Sequence, residues 1–305
     1  MRYLSLIFLV FCHTWATAAT SQKPVVVTTT TMVTAMVQDI GGGDIEVIGL
    51  MGPAVDPHLY KPSAHDTAKL RQADLIFYNG LMLEGRMGEL FKKLSRKGNK
   101  VYAVSNNIPE TLLLEPPEMD GHYDPHIWFD PSMWSTCVDV VVVALSTYAP
   151  GKKPAFEARG KALKEKIKNT NNWAKNKIAE LPPKKRILVT SHDAYNYFGR
   201  AYEFQVVGVQ GISTVSEAGL ADIASTVDFI KAKEVKAVFI ESSVSPATIE
   251  RISKDAHAKI GGELFSDAMG LPGEMETGPD EERYDLGTWE GMMKHNVNTI
   301  VEALK

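Results

Sequence analysis

Residues 154–183 read PAFEARGKALKEKIKNTNNWAKNKIAELPP. Lys, Glu, Ala and Asn dominate, and apolar residues return at Phe156, Leu163, Ile167, Trp173 and Ile178, the spacing of one amphipathic helix. At 1.5 Å per residue the stretch Pro154–Leu181 is about 40 Å long, and Pro182-Pro183 stops it. A helix of this length is either a surface element of one domain or a stiff strut between two. The strut is the better reading, because α/β alternation runs up to the helix and restarts directly after it. The fold class is therefore α/β, with two (β/α) lobes joined by one long backbone helix. The expected divisions are a leader at 1–18, an N-terminal lobe at 19–150, the linking helix at 151–183 and a C-terminal lobe at 184–305.

Upstream, Val25–Thr29 is a strand rich in β-branched residues, Met32–Ile40 is helical and stops at Gly41-Gly42-Gly43, and Ile45–Leu50 is a second strand. Ser63 caps a helix to Ala73, Asp74–Tyr78 is a third strand, and a further helix and Val101–Val104 complete the lobe. Downstream, strands are expected at Ile187–Thr190, Phe204–Val209, Ala237–Ile240 and Glu263–Ser266, with helices at Asp193–Tyr202, Ser216–Glu234 and Ser245–Lys259. A Gly/Pro/acid-rich loop covers Gly270–Arg283, and a last helix starts near Leu286.

The chain has 305 residues, 33 Lys+Arg and 37 Asp+Glu, a formal charge of −4 with no basic excess for nucleic acid. Its N-terminus has Arg2, an apolar run Leu4–Phe11 and the small-x-small site Ala16-Thr17-Ala18, the pattern of a cleaved leader with Ala19 first in the exported chain. The run is too short to span a bilayer, which needs roughly 20 residues. Export places the protein in a periplasm. Cys12 follows Val10 and Phe11, not small residues, which argues against a lipid anchor. Cys137 is the one cysteine left after cleavage; within the apolar stretch Cys137–Val143 it reads as a small core residue.

Seven histidines remain after the leader. Three sit where the chain leaves a strand or bends sharply: His58 in Asp56-Pro57-His58-Leu59-Tyr60, His126 in Asp124-Pro125-His126-Ile127-Trp128, and His192 after Thr190-Ser191. Asp267 holds the matching place after Leu264-Phe265-Ser266. Ligand groups in open α/β sheets gather at the carboxyl ends of strands, so two facing lobes would bring these four together in the interlobe cleft. Three imidazoles and a carboxylate suit a divalent ion such as Zn²⁺ or Mn²⁺. His65, His122, His257 and His295 read as solvated or structural.

At these residues the sequence resembles the TroA-like solute-binding proteins of zinc and manganese ABC transporters. The resemblance is carried by Gly49–Tyr60, Ala73–Gly80, Asp124–Asp130, Val189–Tyr195 and Gly261–Gly270, which span nearly all of the exported chain in order. It implies His58 and His126 as metal ligands from the first lobe and His192 and Asp267 from the second. It also implies one Zn²⁺ or Mn²⁺ per monomer, handed to an inner-membrane permease and its ATPase. A single helical strut implies less opening than a flexible multi-strand hinge. Two departures stand out. Glu115–Asp124 is short and contains only His122, where dedicated zinc members carry a long His- and acid-rich loop; and the third ligand is His192, where many manganese members use Glu.

Two other readings compete with this one. A secreted metallohydrolase needs an open coordination position and a general base, for which Glu241 is the placed candidate; there is no H-E-x-x-H helix and no G-x-S-x-G elbow. Glu241 reads better as a hydrogen-bonding support. An adhesion module would rest on family usage alone, since the sequence has no repeat, stalk or lipid anchor.

Overall fold

The computed structural model describes residues 23–119 and 121–305; the leader, Cys12 and His13 lie outside them. In chain order the elements are β1 (Val25–Thr28), α1 (Thr31–Gly41), β2 (Glu46–Gly49), α2 (Ala64–Gln72), β3 (Leu75–Tyr78), α3 (Met87–Arg96), β4 (Lys100–Ala103) and α4 (Pro131–Tyr148). The long helix α5 (Lys153–Ile178) follows, then β5 (Ile187–His192), α6 (Asn196–Tyr202), β6 (Gln205–Gln210), α7 (Leu220–Lys233), β7 (Ala237–Glu241) and α8 (Ala247–Ala256). The chain ends with β8 (Lys259–Leu264), β9 (Met275–Thr277), β10 (Arg283–Asp285) and α9 (Trp289–Leu304). Among the described residues no helix is long and apolar enough to cross a membrane.

The first lobe is a parallel sheet in the order β2-β1-β3-β4. Its helices start where side chains supply the missing acceptors: Thr30 caps α1, and Ser63 and Asp66 close a capping box on α2. The second lobe pairs β5 with β6 and β7 with β8, all parallel, with β5 alongside β7. Both sheets therefore send their carboxyl ends toward connecting loops, as a two-lobed α/β fold requires.

Helix α5 is no free-standing strut. Phe156, Leu163, Ile167, Ala174 and Ile178 are buried, and α5 packs on α1 and α4 of the first lobe and α9 of the second. Arg159 donates to the Ile40 and Gly41 carbonyls at the end of α1 (the latter 2.9 Å) and to Asp44 Oδ2 (2.8 Å), satisfying acceptors the helix leaves open. One apolar core runs from Val26 and Met32, through Trp134 and Phe156, to Trp289 and Val301, so the lobes are fused along this side.

Four readings of the sequence need correction. Residues 131–148, given no element, are helix α4; Asp130 Oδ1 accepts from the Ser132 and Met133 amides, and Pro131 at the first turn presets the backbone. Cys137 faces the core from this helix and is fully buried, as expected. The strand expected at Glu263–Ser266 lies earlier, at Lys259–Leu264, and takes in Gly261 and Gly262. A Cβ at Gly261 would meet Phe239 Cε1 at 2.6 Å and Ala303 Cβ at 2.8 Å, so the absent side chain lets β8 pass β7 and α9. Gly270–Arg283 is not all loop, since it holds β9 and the start of the antiparallel ribbon β9–β10. Helix α8 ends at Ala256, and His257 terminates it in a left-handed conformation at φ 56°.

Candidate metal centre

Each of the four groups is set by local chemistry. His58 lies in the loop between β2 and α2, where its amide donates to Asp56 Oδ1 (2.8 Å). His126 precedes a single 3-10 turn, Ile127–Phe129, and Asp124 Oδ1 accepts from both its amide (2.9 Å) and its ring Nδ1 (2.8 Å). His192 is the last residue of β5, its amide donating to Glu241 Oε1 at the end of β7 (2.9 Å), while Glu241 Oε2 lies 2.6 Å from its Nδ1. Asp267 follows β8. The preceding Ser266 carbonyl accepts from Trp128 Nε1 (2.9 Å), and Asn296 brackets Phe265 with bonds of 2.9 and 2.8 Å.

These anchors bring all four predicted residues into one cluster. Each offers one ligand atom, and these atoms lie within 4.8 Å of one another. The Nε2 atoms of His58 and His126 are 3.3 Å apart. Asp267 Oδ1 lies 3.3 Å from His126 Nε2, and Oδ2 lies 3.2 Å from His192 Nε2 and 3.8 Å from His58 Nε2. A tetrahedral ion with bonds of 2.0–2.1 Å separates its ligands by about 3.4 Å. The spacing is thus that of ligands around one ion.

Burial sharpens the case. His126 and His192 are fully buried, Asp267 is 1% exposed and His58 is 8% exposed. His192 Nε2 and both Asp267 oxygens are buried, and among the described residues they meet only other members of the cluster. A carboxylate buried this deeply needs compensating positive charge, which a divalent cation at the centre would supply.

Burial drives the His58 pKa down to about 3, against the pull of Asp267. At His126 burial acts in the same downward sense, but the Asp124 charge and hydrogen bond, with Asp267, overcome it and lift the ring to about 9. Glu241 and Asp267 likewise outweigh burial at His192 and raise it well above 6.5. Burial would raise Asp267, yet His192 and His126 hold it well below 3.8. The carboxylates around them thus favour the protonated form of both buried rings, positive charge where a divalent cation would place its own.

The remaining histidines stand apart, as expected. His65 and His122 are exposed, and His295 bonds Glu276 Oε2 and the Glu263 carbonyl, each at 2.9 Å. Sequence reasoning missed Asp124 and Asp56 as supports. The signal was the doubled Asp-Pro-His, at 56–58 and 124–126, in which each Asp accepts the amide of its His. Glu241 has the supporting role read for it.

The ZnuA family model, described as zinc-uptake complex component A, periplasmic, matches residues 26–303. The chain belongs to this family. It is 44% identical over 303 residues to the zinc-binding protein TroA of Treponema pallidum, covering 96% of this chain and 94% of TroA. It is 42% identical over 290 residues to the manganese-binding lipoprotein MntA of Bacillus subtilis, covering 93% of this chain and 90% of MntA. The solved structure of periplasmic zinc binding protein TroA from Treponema pallidum superposes with a TM-score of 0.86 at 44% identity, covering 92% of this chain and 99% of that one. The resemblance read from the ligand motifs and the two-lobed fold are both borne out.

Proposed function

We propose that this family member captures Zn²⁺ or Mn²⁺ in the periplasm and delivers it to an ABC permease for import. The observation that carries this reading is the buried His58–His126–His192–Asp267 cluster, whose four ligand atoms lie within 4.8 Å of one another and face a common centre. In this reading the three Nε2 atoms and the Asp267 carboxylate are the ligands, and the ion is cargo. Neutral imidazoles and one carboxylate suit Zn²⁺ and Mn²⁺ alike, and the Irving–Williams order makes Zn²⁺ the tighter of the two in most such sites. The names of TroA and MntA carry the same two metals.

The lobes act as units 19–150 and 184–305, with 151–183 as the spine between them, in a monomer whose partners are an inner-membrane permease and its ATPase. The protein is a carrier and not a catalyst. Glu241, the candidate base of a hydrolase, faces His192 with both oxygens, Oε1 accepting its amide and Oε2 2.6 Å from its Nδ1, which supports a positioning role. The word lipoprotein in the relatives' names conflicts with our reading of Cys12. Intact mass of the exported chain distinguishes a protein beginning at Ala19 from one lipidated at Cys12.

Metal titration of purified, initially metal-free protein tests the reading, with wild type beside His192→Ala. One Zn²⁺ or Mn²⁺ per chain, lost or greatly weakened in the variant, is the expected result. No tight binding by wild type refutes it. Competition between the two ions at cell-like free concentrations then names the cargo.

A further inference from the structure

The four groups of the site are not held alike. The His126 segment is stitched to the second lobe by several bonds: Tyr197 Oη donates to the Asp124 carbonyl (2.9 Å), Asn196 Nδ2 to Asp124 Oδ2 (3.2 Å), and Trp128 Nε1 to the Ser266 carbonyl beside Asp267. Arg200 adds a bond to Asp130 Oδ2 (2.9 Å). His126, His192 and Asp267 therefore form one cross-braced block that spans both lobes. His58 is different. Among the described residues, segment 54–60 has a single hydrogen bond to the second lobe, from Thr214 Oγ1 to Asp56 Oδ2 (2.6 Å).

That one bond sits in a chain of contacts. Asp56 uses its other oxygen to hold the His58 amide. Thr214 is held in turn by Gln210, whose Nε2 donates to the Thr214 carbonyl (3.2 Å), and Gln210 pairs in register with His192 across β5 and β6. His58 is also the outermost of the four, since its neighbour Leu59 is 51% exposed while His126 and His192 are fully buried. The ligand nearest solvent is thus the one tied down least.

We propose that the Thr214–Asp56 hydrogen bond is a latch that holds His58 against the fixed His126–His192–Asp267 block, and that the ion enters and leaves by withdrawal of the His58 segment when this bond opens. Thr214 is a positioning residue here, acting through Asp56 and never touching the ion. The inference rests on the cargo reading above. Opening one short loop exposes the ion without separating lobes that share a continuous apolar core.

The test loads the exported protein with Zn²⁺ and follows its release into excess chromogenic chelator by stopped flow. Loss of a partly buried hydrogen bond to a carboxylate in Thr214→Val speeds release about tenfold, whereas Thr214→Ser, which keeps the hydroxyl, releases at about the wild-type rate. Hydrogen exchange on the loaded protein gives a second reading: segment 54–60 opens faster in Thr214→Val, and segment 124–130 is unchanged. Release within about twofold of wild type, or equal acceleration of exchange in both segments, overturns the latch. A wild type that takes up no zinc overturns the cargo reading itself, so the two failures are distinct.

Discussion

Replacing Asp124 by Asn separates two effects that the wild-type carboxylate combines. Asp124 Oδ1 sits 2.8 Å from His126 Nδ1 and lifts that ring to about 9, so at pH 7 a proton occupies the imidazole about a hundredfold over the free base. Metal must displace that proton, a penalty of about 3 kcal/mol at pH 7 that vanishes above pH 9. The same carboxylate orients the ring and makes it a stronger ligand, a support whose loss costs about 10- to 100-fold in affinity. Asn keeps the acceptor for the His126 amide and the backbone carbonyl that Tyr197 bonds; it gives up the Asn196 bond to Oδ2, while Trp128 and Arg200 still brace the segment. The variant therefore binds about 10- to 100-fold more weakly at pH 9.5 and shows a much smaller deficit at pH 7, where relief of proton competition offsets the lost support. Calorimetric titration with Zn²⁺ from pH 7 to 9.5, in buffers of known zinc affinity, reads this directly. Below about pH 9, wild-type affinity rises with pH by about one proton more than that of Asp124→Asn, the proton of His126. Parallel slopes for the two proteins would refute the assignment of His126 as the Asp124-charged ring.

Other consequences follow from the same geometry. His192→Ala removes a fully buried ligand, and equilibrium dialysis should show Zn²⁺ affinity reduced at least a hundredfold at pH 7.5, whereas His122→Ala, an exposed loop residue, leaves it unchanged. The raised His126 stabilises the metal-free fold fully below about pH 6.5, and that contribution is lost as pH rises through about 9. The depressed His58 acts oppositely, its contribution present above about pH 6.5 and lost as pH falls toward 3. Calorimetric melting of metal-free protein should therefore show a falling Tm from pH 7 to 9.5 that bound Zn²⁺ abolishes; an unchanged metal-free Tm over that range would count against the charged His126. Gly261→Val drives a side chain into Phe239 and Ala303, and denaturant titration should show a loss of about 1–3 kcal/mol.

The four candidate ligands were legible because each stands at a point where the chain must stop being regular. His58 and His126 follow prolines in loops, His192 ends a strand and Asp267 begins a loop, so topology alone brought them to one cleft. The spine was legible from periodicity, and only its ends shifted, from Pro154–Leu181 to Lys153–Ile178. What escaped has a common cause in long-range packing. The run Val140–Val143 has strand propensity, yet Asp130 and Pro131 start a helix and the core selects one face of it. Gly261 and Gly262 carry no side chain to signal a strand, and only the close approach of Phe239, Ala303 and Thr299 shows why they belong to one. The different fates of Asp56 and Asp124 were invisible for the same reason, since identical Asp-Pro-His triplets meet Thr214 in one case and Asn196 in the other.

The charge of the site explains how so buried a cluster tolerates both presence and absence of its cargo. Burying three imidazoles beside an isolated carboxylate without compensation would be strongly unfavourable. Here Asp124 and Glu241 stand behind His126 and His192 and raise both rings, favouring positive charge at the atoms where a divalent cation would place its own. His58, with no carboxylate behind its ring in the described contacts and its pKa pushed down to about 3, stays neutral in both states. It can move toward and away from the block without carrying charge across the cleft. The fused core along α5 then has no large rearrangement to accommodate, and the site needs to move only its least-braced ligand.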